Sequence, residues 1–455
     1  MNYNEFINKK THLTGEFGFD PVFMPESLFP FQKSLVEWTV RKGRCANFED
    51  CGLGKTPMQL TTAQNVHLKT GKRVLIATPL AVGPQTVKEA EKFGIYAQRS
   101  KDGTLPDAPI VITNYERLHL FKSEDFIGMV CDESSILKNV DGKIKAAVTD
   151  FMRKMPYRFL YTATAAPNDF IELGTSSEAL GELGYMDMLS KFFRKNEATI
   201  SRKDENRSGL YRFRGHSERD FWRWVCSWSR AVRRPSDIGF NNKGFDLPEL
   251  ITRQHVVEAR TVNPEFLFDM PAVGLAEQRK ERSRTCQERC EMAADIANGT
   301  KDAVVSWCYL NREGDLLTKL IDGAEQVSGN DDDERKEEIF DAFANGQIKK
   351  LVTKPLIAAS GLNWQHCNRQ TFFPSHSFEQ WYQSVRRSWR FGQTRPVTVD
   401  VITSEGEANV LSNLHRKAEA ADRMFENFVN LMNNELAIQK TEYKAQTTQL
   451  PAWLQ

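Results

Sequence analysis

No run of apolar residues in this 455-residue chain approaches the length that crossing a bilayer requires. The first ten residues, MNYNEFINKK, lack the apolar core of a secretory signal. Together these exclude a membrane-spanning class and lead to the expectation of a cytosolic protein. Charge of one sign is also missing: 61 Lys plus Arg stand against 60 Asp plus Glu. Net charge therefore names no partner, and a polyanion binder of this composition has to gather its basic residues locally. The eight cysteines are scattered. Cys45, Cys51 and Cys131 lie in apolar or glycine-rich runs. Cys286 and Cys290 form the one close pair and share a helical face, but no second Cys or His pair follows at zinc-site spacing. All eight read as free thiols. Short-period repeats and low-complexity tracts are absent.

What is present is β-α alternation, twice. Short apolar runs at Arg44–Phe48, Arg73–Thr78, Pro109–Thr113, Gly128–Cys131 and Arg158–Thr162 read as buried parallel strands. A second series follows at Ala303–Trp307, Lys350–Thr353, Arg369–Phe373 and Val397–Ile402. Two series predict two α/β lobes. Residues 176–245 between them show no strand series and read as helical with loops. Within 191–234, thirteen lysines and arginines stand against five acids, with aromatics interleaved. The basic residues suit a nucleic-acid backbone, whereas Trp222, Trp224 and Trp228 are expected to pack the insertion's core. Residues 264–299 read as a charged, solvated helical arm, and Asp331–Glu338 as a turn that opens a helix. His366 and His376 have no paired base or ligand and read as structural.

Three groups carry chemistry. Cys51-Gly52-Leu53-Gly54-Lys55-Thr56 follows a strand and opens a helix, the context in which backbone N–H groups cradle phosphate. Lys55 would bridge the β- and γ-phosphates and Thr56 would ligate Mg²⁺. The first glycine of the full pattern is replaced by Glu49, so a simple glycine turn remains the alternative. Asp132-Glu133 ends a buried strand, where carboxylates face the ligand crevice of an open α/β sheet. Asp132 suits Mg²⁺ and Glu133 suits the attacking water; the alternative is a strand end carrying two exposed acids. Arg387 and Arg390, three apart, share a face if helical. Their planar forks fit phosphate, against the alternative of a solvated basic helix.

In this order these pieces resemble the superfamily 2 helicases, and most closely the Swi/Snf-type DNA translocases, over roughly residues 28–420. Leu28-Phe29-Pro30-Phe31-Gln32 resembles the glutamine motif, and Phe48 to Thr56 motif I, in which the family departs from the strict pattern at the position of Glu49. Ile76-Ala77-Thr78-Pro79-Leu80 resembles motif Ia, and Ile112-Thr113-Asn114-Tyr115-Glu116 motif Ib. Asp132-Glu133-Ser134-Ser135 with Leu137-Lys138-Asn139 resembles motif II, and Tyr161 to Asn168 motif III. In the second half, Val327-Ser328-Gly329 with Arg335 and Phe343 resembles motif IV, Ala359 to Gln365 motif V, and Gln383 to Gln393 motif VI. Ser135 stands where many relatives have His; its hydroxyl can still hydrogen-bond to motif III. Ala163 and Ala165 stand where the family has Gly and Pro.

The resemblance implies two tandem RecA-like P-loop lobes with helical insertions. The expected layout is an N-terminal extension (1–24), a first lobe (25–175), the basic insertion (176–245), a second lobe (246–430, with an arm at about 262–299) and a terminal segment (431–455). ATP and Mg²⁺ are the implied cofactors. Gln32, Gly52, Leu53, Gly54, Lys55, Thr56 and Gly361 would bind nucleotide, with Thr56 and Asp132 on the metal. Lys55, Asp132, Glu133, Gln383, Arg387 and Arg390 would be catalytic, the arginines reaching ATP when the lobes close. Pro79, Thr113, Asn114, Thr162, Thr164 and Asn363 would contact nucleic acid or couple it to hydrolysis. The implied activity is DNA translocation on duplex or branched DNA, with replication, recombination or modification proteins as further partners and no membrane. A compact motor of this kind resembles those of bacteriophages and prophages, which places it in a bacterial or phage-infected cytoplasm. Two other readings stay open: an ATP-gated clamp serving a partner nuclease or methyltransferase, and a P-loop kinase for a small molecule. The kinase reading leaves the second β-α series unexplained.

Overall fold

The computed structural model describes residues 15–166, 169–195, 211–258, 282–358, 362–375, 377–405, 416, 419, 423, 425–426 and 428–432. Its chain divides into two units: residues 1–78, 89–242 and 422–455 in one, and 79–88 and 243–421 in the other.

In the first unit, α1 (Pro30–Lys42) begins on a proline, whose missing N–H has no partner to lose in a first helical turn, and stops at Gly43 with φ 71°. It leads into β1 (Arg44–Glu49), α2 (Lys55–Thr70) and β2 (Val74–Thr78). Then come α3 (Gly83–Lys92), which the division between the units cuts, β3 (Ala97–Arg99), β4 (Ile110–Asn114), β5 (Gly128–Cys131), α4 (Lys143–Arg153) and β6 (Tyr157–Thr162). The strands lie in the order β3-β4-β2-β5-β6-β1, all parallel, with a seventh strand beyond β1. Buried nearly throughout, they show the continuous apolar runs of a sheet covered on both faces. The order puts the carboxyl ends of β5, β6 and β1 side by side.

The seventh strand corrects the expectation that residues 176–245 contain no strands. After α5 (Leu173–Leu180) and α6 (Tyr185–Phe192), β7 (Phe193–Lys195) and β8 (Tyr211–Phe213) form an antiparallel pair. Next, α7 (Ser217–Trp228) leads into β9 (Ser229–Val232), which pairs with β1 as the sheet's edge. With only two apolar residues in Ser-Arg-Ala-Val, β9 carries no periodic signal; pairing with β1 defines it. The tryptophans of α7 are core residues as expected, but of the whole unit: Trp222, Trp224 and Trp228 join the same buried cluster as Phe48, Leu160 and Phe428.

The second unit contains β10 (Leu250–Val257), α8 (Cys286–Asn298), β11 (Val304–Trp307), α9 (Asn311–Leu320), β12 (Ala324–Val327) and α10 (Asp333–Ala344). It continues with β13 (Lys350–Thr353), α11 (Pro355–Ala358), β14 (Arg369–Phe372), α12 (Phe378–Val385) and β15 (Val397–Ser404). The sheet order is β10-β15-β14-β11-β13-β12, again all parallel. As expected, Asp332 opens α10, its side chain accepting the Arg335 N–H at 2.7 Å.

The arm expected to be solvated is not so where it is described. α8 buries Cys286, Cys290, Ala293, Ala294 and Ala297 along one stripe. Its Arg289 forms a fully buried ion pair with Glu313 at 2.8 Å. Small residues make a faint stripe among so many charges, so the sequence masks the packed face. All eight cysteines are free and buried, as expected. Among the described residues, no helix is long and apolar enough to cross a membrane.

Candidate nucleotide site and the arginine turn

In the first unit the site grows from three strand ends. β1 ends at Glu49, and the chain turns through Asp50 to Gly54 into α2. Gly52 (φ 91°) and Gly54 (φ 80°) take left-handed conformations open to glycine. A Cβ on Gly54 would also stand 2.3 Å from Gln32 Nε2. That nitrogen donates to the Leu53 carbonyl at 2.8 Å, while Gln32 Oε1 accepts the Phe29 N–H at 2.9 Å. Gln32 thus braces the loop. Lys55 folds back over it, Nζ donating to the carbonyls of Glu49 (3.0 Å) and Asp50 (3.3 Å). The first N–H groups of α2, at Lys55 and Thr56, are those a helix leaves for an anion.

β5 delivers Asp132 and Glu133. Gln59 Nε2, one turn beyond Lys55 on α2, donates to Asp132 Oδ1 at 2.7 Å, and the Tyr115 hydroxyl donates to the Asp132 carbonyl. Glu133 has φ 49°, the one positive φ outside glycine among the described residues. Such strain persists where surrounding structure enforces it, and concentrates at working sites. β6 supplies Thr162, whose hydroxyl donates to Glu133 Oε2 at 3.3 Å and accepts the Thr164 N–H at 3.1 Å. The motif II–motif III link therefore runs through Glu133 itself; Ser135 is buried beside it.

The electrostatics are those of acids short of cations. Glu49 is 1% exposed, and neither carboxylate oxygen has a hydrogen-bond partner among the described residues. Burial pushes its carboxyl up to about 8, against the pull of Lys55 and aided by Asp132. Asp132 is also raised, first by burial and then by Glu133, with Gln59 and Lys55 opposing. A hydroxyl and carboxylates suit a hard cation such as Mg²⁺, which keeps waters and phosphate oxygens as its other ligands. Among the described residues, no cluster of three or more His, Cys, Asp or Glu is arranged for a metal.

Of the other predicted contacts, Pro79 leads the short turn Leu80–Val82 after β2. Thr113 is buried, its hydroxyl donating to the Ser100 carbonyl at 3.1 Å, and Asn114 Oδ1 is buried without a partner among the described residues. Gln59 was not named from the sequence, and Glu49 and Tyr115 were named only as parts of motif I and motif Ib, without a role in the site. The signal for Gln59 was available: four residues after Lys55, it shares that helix face.

In the second unit, α12 ends at Val385, so Arg387 and Arg390 do not lie on a helix as their spacing suggested. The turn after the helix brings them together instead. Arg387 Nε donates to the Gln383 carbonyl at 2.9 Å, and its Nη1 to the Leu362 carbonyl at 3.1 Å. Arg390 Nη1 reaches the same carbonyl at 3.0 Å. Gln393 pins the turn through Gln365 O at 2.8 Å. Next to Leu362, Asn363 Oδ1 is buried with no partner among the described residues. Gly361 lies outside the described residues, as do Pro167, Asn168, Ala359, Ser360 and His376.

No protein-family model and no curated protein matches the chain. Solved structures do. The S. cerevisiae Dbp5 bound to RNA and ADP BeF3 is 12% identical with a TM-score of 0.54, over 89% of this chain and 98% of that one. A variant of Dbp5 in the same complex gives 0.52 over the same shares. The Sulfolobus solfataricus SWI2/SNF2 ATPase core in complex with dsDNA is 19% identical over 91% of this chain and 96% of that one, at a TM-score of 0.41. At these identities the Dbp5 likeness defines the fold. The chain has the fold of those structures, two parallel sheets in the manner of tandem RecA-like lobes.

Proposed function

We propose that the protein is an ATP hydrolase that couples turnover to movement on nucleic acid, with DNA, duplex or branched, as the expected track. The observation that carries this reading is the meeting of Lys55, Asp132, Glu133 and Thr162 at the carboxyl edge of β1, β5 and β6. A small-molecule kinase would need the first unit alone and gives no role to the second sheet or to the two arginines on one carbonyl.

In this reading the loop from Gly52 to Gly54 and the start of α2 receive the phosphates, and Lys55 leaves its carbonyls for them. Thr56 and Asp132 would hold Mg²⁺, whose charge offsets that of the phosphate oxygens. Glu133 orients a water and accepts its proton, and Thr162 reports the state of that carboxylate to Thr164. From the second unit, Arg387 and Arg390 exchange the Leu362 carbonyl for phosphate oxygens when the lobes close. Gln383, in the last turn of α12, offers its carbonyl to Arg387. Pro79 and Asn363, outside the strands, and Thr113 and Asn114, at the carboxyl end of β4, are expected on the nucleic-acid side; the Thr113 hydroxyl is engaged by the Ser100 carbonyl.

The test is ATP turnover with no nucleic acid and with single-stranded DNA, duplex DNA, forked DNA and RNA, using Glu133→Gln as the blank. Stimulation by duplex or forked DNA that the variant abolishes is the expected result. Equal rates in every arm would sink the motor reading, and stimulation without triplex displacement would leave a clamp.

A further inference from the structure

The basic residues of the insertion are not evenly spread, and the register of one hairpin decides where they go. In the β7–β8 pair, Phe193 stands opposite Phe213, Arg194 opposite Arg212, and Lys195 opposite Tyr211. The two phenylalanines stack at 4.6 Å and 26°, and each also lies 5.3 Å from the ring of Phe221 in the core. Side chains alternate along a strand. Fixing the phenylalanines inward therefore turns Arg194 and Arg212 outward as a direct cross-strand pair.

Like charges set opposite one another destabilise a strand pair. Here both arginines are exposed, and neither they nor exposed Lys195 has an acidic partner among the described residues. Arg214 extends the row, its Nε held by the Phe193 carbonyl at 2.6 Å. Residues 193–195 and 211–216 contain no acid. The row is exposed, so it suits an extended polyanion rather than a small molecule. Arginines in such a row position a phosphate backbone without reading bases.

We propose that the β7–β8 hairpin is a phosphate clamp for the nucleic-acid strand, in which Arg194 and Arg212 together neutralise backbone charge that the motif loops do not touch. It rests on the nucleic-acid reading above and adds to it a specific site built outside the ATP machinery. The like-charge pair is relieved when an anion bridges it, and the aromatic stack fixes the pair's spacing before binding. The clamp does not depend on sequence.

The experiment measures binding of fluorescent duplex DNA, single-stranded DNA and RNA as a function of salt, for the full chain, Arg194→Gln/Arg212→Gln and Arg194→Lys/Arg212→Lys. For duplex DNA the glutamine variant should lose about 2 from the slope of log K against log salt, and on the order of 10- to 100-fold in affinity near physiological salt. The lysine variant should keep the slope. Thermal melting that is not lowered in the glutamine variant separates this from misfolding. Unaltered slope and affinity in the glutamine variant, with a parent that binds, would overturn the clamp and leave the motor reading standing. A parent that binds none of the three would overturn both. The arm with the largest loss names the strand.

Discussion

The two units carry the same kind of sheet and opposite chemistry. At the carboxyl edge of the first, β1 ends on Glu49 and β5 leads into Asp132 and Glu133, with Lys55 turned onto its own loop. The second ends its turn in two guanidiniums that share one carbonyl oxygen. The first gathers acids and the second gathers guanidiniums. On the proposed function, the comparison implies that binding and turnover separate by unit: the first would hold the phosphate chain, and the second would contribute once its arginines leave the Leu362 carbonyl.

The sharpest way to break that division is to compare Glu133→Gln with Arg390→Lys. Both should reduce turnover about 10³-fold or more, measured as phosphate release with saturating nucleic acid. Nucleotide affinity, measured by a fluorescent analogue, should stay within a few-fold of the parent in both. If Arg390→Lys instead abolishes nucleotide binding and spares turnover of what binds, the division by unit is wrong.

A second prediction concerns what holds each unit. Arg289 and Glu313 form the second unit's buried ion pair, with Arg289 also bonding Thr285 Oγ1 at 3.2 Å and Glu313 accepting the N–H groups of Tyr309 and Leu310. Removing one partner leaves a buried charge, and Arg289→Met should cost about 3–5 kcal/mol. Hydrogen exchange should rise in α8 and α9 and not in the first sheet. Exchange rising equally in both sheets would mean that the units do not unfold separately.

The first unit was the more legible, for a physical reason. Its loops leave strand ends directly, so a short apolar run followed by Gly-Leu-Gly-Lys-Thr or Asp-Glu fixes both the backbone and the position of the side chain. The strand runs at Gly128–Cys131 and Lys350–Thr353 stand where they were expected. β9 and the β7–β8 pair were not readable, because short strands of mixed polarity are defined by their neighbours. In the second unit the arginine spacing suggested a shared helix face, and the local structure is a turn. Three residues apart means one helix face only if the helix continues, and α12 stops at Val385. The buried face of α8 was hidden because alanine and cysteine contribute little to an amphipathic pattern crowded with charge.

Glu49 sharpens the view of the first unit as an acid site awaiting charge. Its folded carboxyl titrates at about 8 because it is buried, against an ordinary 4.5. The native state therefore keeps a proton that the unfolded chain releases, and stability falls as pH rises between those values. Glu49→Gln removes that loss, and at pH 7 it should stabilise by on the order of 3 kcal/mol, with little effect at pH 4. Melting temperature against pH measures it. A parallel pair of curves for parent and variant would show that Glu49 is already ionised and paired.

The smallest effect tests the residue that sequence reading passed over. Gln59 donates to Asp132 Oδ1 at 2.7 Å, and that bond lowers an acid that burial and Glu133 raise. A hydrogen bond to a charged group contributes about 1.5–3 kcal/mol, which corresponds to about one to two pH units on the acid. In Gln59→Leu, Asp132 should titrate higher, so the acid limb of the turnover–pH profile should move up by about one unit, with little loss at high pH, where the carboxylate is ionised in both. A second-unit variant such as Arg390→Lys leaves Gln59 and Asp132 unchanged, so whatever turnover it retains should keep that limb in place. A shift of the limb in Gln59→Leu alone ties the acid side of the profile to the first unit. The same shift in both would move its origin to a step that the units share.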